Sequence, residues 1–188
     1  MSVMMVGNPI KINRILINSA KYLADVGNTK SLLRSGVLPV NERLAAFGLS
    51  LDPEIAAKEI IMWHDCYGKR GENIAYKILF DMESGVCTPW QIGEVAWEIN
   101  HFLRILNIPF IQGIHCNTKR EHDHPHVHIL MSAVYPLTGK KVNLNHAFII
   151  GYKSYANMVL FKHGLPLIKL GIKSLPFKIV VSEVSENA

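Results

Sequence analysis

Residues 113–130 read GIHCNTKREHDHPHVHIL and hold five of the nine histidines in the chain. His122, His124, His126 and His128 stand at alternate positions. Neutral imidazole is a good ligand for Zn, Mn, Ni or Co, and a site with three such ligands keeps positions open for a substrate. Strand geometry sorts the five. Side chains alternate between faces, so His126 and His128 share one. His115 belongs to the preceding apolar segment. If the two segments pair as a hairpin, His115 meets the His126/His128 pair on the same face. Three imidazoles then converge on one cation. His122 and His124 fall in the polar turn TKREHDH, with Pro125 interrupting a regular ladder there, and read as exposed residues. An H-x-H pair alone is more often packing or surface than a site; the third histidine makes a metal centre a real alternative.

The elements that would hold this hairpin follow from patterning. PIKINRILI (9–17) alternates apolar and polar and predicts a strand. NSAKYLADV predicts a short helix capped by Asn18 or Ser19. Residues 27–52 predict loops around a short amphipathic piece, NERLAAFGL. Asp52-Pro53 and Thr88-Pro89 each place a capping side chain before a first-turn proline, so helices are predicted over EIAAKEIIMWHDCY and WQIGEVAWEINHFLRIL. IAYKILFDME, IPFIQGIHCN and PHVHILMSAV predict strands, with KVNL as a further short one. A long helix over 146–163 stops at Gly164, and FKIVV predicts a last strand. The expected fold is α+β, a central, largely antiparallel sheet of about five strands flanked by helices. At 188 residues the chain reads as a single domain.

Composition narrows the classes. Hydrophobic residues make up 49%, enough for a buried core. No apolar run is long enough for a membrane helix, and the first residues lack a signal-peptide pattern. The expectation is a soluble cytoplasmic protein with no membrane partner. Three cysteines without a CxxC pair indicate neither a disulfide framework nor a cysteine zinc site. A net charge of +5 and a pI near 9.1 suit a polyanionic partner without requiring one.

Taken together, His115-Cys116-Asn117, then Asp123-His124-Pro125-His126-Val127-His128, then Thr138-Gly139-Lys140-Lys141 resemble the third motif of the relaxase and mobilisation nuclease family, MobA/VirD2-like HUH endonucleases. Lys21-Tyr22-Leu23 resembles the stretch bearing the family's nucleophilic tyrosine, and Phe161-Lys162-His163-Gly164 its late helix end. The likeness spans roughly residues 10–170. It implies an HUH endonuclease-like fold and nicking of single-stranded DNA at a plasmid or mobile-element transfer origin. Tyr22 would attack the scissile phosphate and form a 5′-phosphotyrosyl link. His115, His126 and His128 would hold a divalent ion, Mg²⁺ or Mn²⁺ first, with Zn²⁺, Ni²⁺ or Co²⁺ also admissible. Accessory mobilisation proteins are possible partners.

Further roles are expected around this core. Asp81 or Glu83, Asp81 preferred, would fix an imidazole tautomer. Asn117 shares a face with His115 and could orient it or the substrate. Lys30, Lys119, Arg120, Lys140 and Lys141 flank the site in sequence and could neutralise phosphates; Lys140-Lys141 is equally readable as a solvated loop tip. Trp63, Trp90 and Trp97 sit in helical patterns and read as packing residues. The family's middle strand usually carries a Ser-Phe pair, where this chain has Leu79-Phe80. Three alternatives stay open: a rolling-circle replication initiator using Tyr152 or Tyr155, a relaxase-like DNA-binding protein without activity, and an unrelated metal-dependent hydrolase using the three histidines.

Overall fold

The structure is a computed structural model that describes residues 2–23, 44–68, 72–83, 85–116 and 125–170. Five strands form one sheet in the order β1-β3-β5-β4-β2: β1 (Val3–Ile10), β2 (Leu44–Phe47), β3 (Ala75–Asp81), β4 (Phe110–Cys116) and β5 (Pro125–Ser132). Every pairing is antiparallel. The helices are α1 (Asn13–Leu23), α2 (Pro53–Cys66), α3 (Pro89–Ile99), the short α4 (His101–Ile105) and α5 (His146–Lys162). The α+β architecture matches the sequence expectation, and no described helix is long and apolar enough to cross a membrane.

The two faces of the sheet bury different clusters. On one, Leu16, Ala20 and Leu23 of α1 and Ala56, Ala57 and Ile60 of α2 pack on Ala75, Ile111 and Leu130. On the other, α3, α4 and α5 cover Ile78, Phe80, Phe110, Ile114, Val127, Ile129 and Met131. Consecutive residues of β5 therefore divide between the clusters. Val127 and Ile129 face the larger core, while His126, His128 and Leu130 face the side of α1 and α2.

The helix starts follow their caps. Asp52 accepts from the backbone N–H of Glu54 and Ile55 at 2.8 and 3.0 Å. Thr88 and Gln91 close a capping box. Asn145 caps α5, and Gly164, at φ +66°, ends it.

The N-terminal segment differs from expectation. The strand lies earlier, over Val3–Ile10, and the helix starts at Asn13. The alternation through 9–17 loses to the helical spacing of Leu16, Ala20 and Leu23, which together bury one face on the sheet; Ile12 and Ile15 stay exposed. Within NERLAAFGL a strand forms, Leu44–Phe47. The helix expected through 90–106 divides at Asn100, whose side chain is fully buried and donates to Gln112 Oε1 at 2.7 Å. KVNL contributes only an isolated bridge, Lys141 to Val134. FKIVV lies outside the described residues.

Candidate metal centre

The site begins with the register of two central strands. β4 and β5 pair so that His115 stands opposite His126 and Gly113 opposite His128. Cross-strand partners share a face, so the three imidazoles meet on the side of the sheet that carries α1. Their ring centroids are 4.8, 5.0 and 5.6 Å apart. One ligand nitrogen from each lies within 4.8 Å of the others. His115 is buried, and His126 and His128 are half-buried. Burial above all, then the charges of His115, His126 and Lys77, pushes the His128 ring down to about 3, so it keeps a lone pair at neutral pH. His128 Nε2 is buried and has no hydrogen-bond partner among the described residues.

Helix α1 ends on this cluster. Gly113 makes the approach possible. A Cβ there would stand 2.4 Å from the carbonyl oxygen of Leu23. With no side chain in the way, the last turn of α1 settles on β4, and the Leu23 carbonyl lies 3.1 Å from His115 Nε2. A carbonyl only accepts, so the imidazole donates from Nε2 and keeps its lone pair on Nδ1. Tyr22, next in the same turn, sets its ring edge-on against His115 at 4.7 Å and His128 at 5.3 Å between centroids. It is 47% exposed. Lys21 of this turn pairs with Glu54 at the start of α2, at 2.9 Å.

Asp81 lies directly opposite His126 on β3, so Asp81, His126 and His115 form one row across three strands. Lys140 and Lys141 do not flank the histidines in space. They follow the far end of β5, where Lys141 bridges Val134, roughly 25 Å along the strand direction from His126. Lys141 also pairs with Glu72 at 2.9 Å. β5 joins them to the motif in sequence and carries them away, because it runs out from the site before the turn at Tyr135–Lys140. Lys30, Asn117, Lys119, Arg120, His122 and His124 lie outside the described residues. Two residues of the site face escape a motif reading: Gly113, whose role needs the packing of α1, and Lys77, which shares the strand parity of Asp81 on β3.

Residues 39–165, more than half of the chain, match the family described as "Relaxase: MobA/VirD2-like, nuclease domain". The chain belongs to the MobA/VirD2-like relaxase nuclease family. It is also 25% identical over 158 residues to "Protein rlx" of Staphylococcus aureus, covering 81% of this chain and 47% of that protein. The chain thus spans about half the length of the curated relative it matches. A solved structure described as "Molecular Basis of Vancomycin Resistance Transfer in Staphylococcus aureus" aligns with a TM-score of 0.45 at 14% identity, over 69% of this chain and 74% of that one.

The part of this relaxase nuclease domain matched by the family holds all three histidines and begins after Tyr22. The donor set fits a divalent cation: three imidazoles with converging nitrogens, one of them buried without a hydrogen-bond partner among the described residues. The other tyrosines named from sequence are placed differently. Tyr152 of α5 is fully buried in the core on the opposite face, where its hydroxyl donates to Asn100 Oδ1. Desolvation there raises its pKa far above the ordinary tyrosine value. Tyr155 packs near Phe102 and His101 of α4, again on the opposite side from the histidines.

Proposed function

We propose that this relaxase nuclease domain nicks single-stranded DNA at a transfer origin and becomes covalently joined to it through Tyr22. The observation that carries the reading is the packing of the Tyr22 ring against His115 and His128. A part-exposed tyrosine ring packed on two of three converging imidazoles suits a tyrosine nucleophile working beside a cation that holds the phosphate.

His115, His126 and His128 would hold a divalent ion, which when bound supplies Lewis-acid stabilisation of charge on a nonbridging phosphate oxygen. Tyr22 provides the attacking oxygen. Its O–P bond forms as the bond from phosphorus to the 3′ oxygen breaks. The phenolic proton leaves Tyr22, and the 3′ oxygen ends as a hydroxyl with a proton taken up. The strand's 5′ phosphate stays on Tyr22, one ester replaces another, and no water is consumed. Asp81, opposite His126, would hold the orientation of that ring. The last turn of α1 keeps Tyr22 close to the histidines, and Gly113 permits that seating.

Incubation with Mn²⁺ or Mg²⁺ and single-stranded origin-region DNA tests this reading. The wild-type chain is expected to give an adduct that survives denaturation, and Tyr22→Phe is expected to give none. An adduct retained in Tyr22→Phe and lost in Tyr152→Phe or Tyr155→Phe would transfer the reaction to a replication-initiator type of tyrosine. DNA binding that persists after chelation, with no wild-type adduct on any origin sequence, would indicate an inactive binding protein.

A further inference from the structure

The histidine face of β3 carries a cation with no role in the scheme above. Lys77 pairs with Leu130 of β5, and the next pair on the same face is Leu79 with His128. Tyr76, Ile78 and Phe80 turn to the opposite core, so Lys77 shares the face of His126 and His128. A residue two positions from a paired one is a diagonal neighbour at about 7–8 Å, within reach of a long side chain. The register therefore brings the Lys77 side chain within range of His128.

Lys77 is half-buried. Other lysines have counter-charges: Lys21 pairs with Glu54, Lys141 with Glu72 and Lys162 with Glu98. Among the described residues no carboxylate makes an ion pair with Lys77. Asp81, the acidic residue of this strand face, stands four positions further on, opposite His126. A half-buried lysine whose side chain reaches the three-imidazole centre meets repulsion from a bound divalent ion. An anion lying across both relieves the two together.

We propose that Lys77 is a phosphate-binding residue of the histidine face, its ammonium donating to a phosphodiester oxygen of the bound single strand. This rests on the single-stranded DNA reading above and adds a contact that the three histidines and Tyr22 do not make. A lysine that merely lays its stem over Leu79 and Leu130 and turns its ammonium to water would contribute nothing to DNA affinity.

The test is the salt dependence of binding. A fluorescent single-stranded oligonucleotide is titrated with the full chain over a series of salt concentrations, in a Tyr22→Phe background so that no covalent step intervenes. Each phosphate contact to a single strand contributes about 0.7 to the slope of log K against log salt. Lys77→Met is expected to lower the slope by about that amount and to weaken binding uniformly across sequences. Lys77→Arg is expected to restore the slope. Zn²⁺ affinity without DNA, measured by calorimetry, should hold or tighten in Lys77→Met, which also reports that the histidine site is folded. An unchanged slope in Lys77→Met, or an equal loss in Lys77→Arg, would overturn the proposal. Failure of the tyrosine reading looks different: a wild-type chain without adduct, with the slope difference intact.

Discussion

Burial, with help from the charges of His115, His126 and Lys77, holds the His128 ring down to about 3. Two consequences follow at the scale of single residues. The unfolded chain takes up a proton on this ring below about 6.5, whereas the metal-free folded state refuses it until about 3. Metal-free protein therefore loses stability as pH falls from about 6.5 towards 3, with no such loss above 6.5. Urea denaturation of chelated protein at several pH values checks this, and His128→Gln should flatten the decline. The second consequence concerns Asp81, opposite His126. If it orients that ring, Asp81→Asn should reduce divalent-metal affinity by about 10–100-fold, read by calorimetry. Unchanged affinity would restrict Asp81 to packing or to other contacts. Part of this was legible beforehand: the H-x-H alternation put His126 and His128 on one face, and Asp81 was one of two acidic residues named on the neighbouring strand. Lys77 has the same parity, but nothing local marks one lysine of a strand as close to a histidine of another.

At the scale of elements, the joint between α1 and β4 is the sensitive one. A methyl group at Gly113 would stand 2.4 Å from the Leu23 carbonyl, so the end of α1 must lift or tilt. Gly113→Ala is expected to cost about 1–3 kcal/mol of stability from overpacking. It should reduce adduct yield more than metal affinity, because the histidines stay on their strands while Tyr22 moves. Metal titration and adduct yield measured on the same protein separate the two effects. Thr88→Ala, at the far side of the sheet, provides the contrast: loss of the capping box of α3 costs about 1 kcal/mol, with metal affinity unchanged. The caps at Asp52 and Thr88 were readable from sequence because they depend on neighbours within three residues. The end of β1 and the start of α1 were not. PIKINRILI satisfies an alternating pattern, and only the sheet beneath Leu16, Ala20 and Leu23 makes the helical pattern the better burial.

At the scale of the whole molecule, the sheet divides two duties. One face carries the histidines and the end of α1. The other carries the larger core, with a buried polar chain from Tyr152 to Asn100 and on to Gln112, which donates to the Gly93 carbonyl at 3.3 Å. Tyr152→Phe should destabilise the protein by about 1–3 kcal/mol, since Asn100 Oδ1 loses its donor in a buried place. Nicking by the folded fraction should be unchanged. A loss of adduct beyond the loss of folded protein would contradict the separation of faces. Denaturation and adduct assays on the same preparation decide it.

By itself the sequence determined what local patterns control: the capped helix starts, the strand character of the histidine segments, the common face of His126 and His128, and the motif resemblance that pointed to the family. Only the tertiary structure decided what depends on pairing across the chain. The register of β4 on β5 set His115 opposite His126. The bare backbone at Gly113 admitted the end of α1, which brought the Tyr22 ring against the histidines. The path of β5 carried Lys140 and Lys141 away from a site they adjoin in sequence, and the opposite core took Tyr152. The physical reason is that register and close approach are selected by burying both faces of the sheet at once, a condition that no short stretch of residues can express.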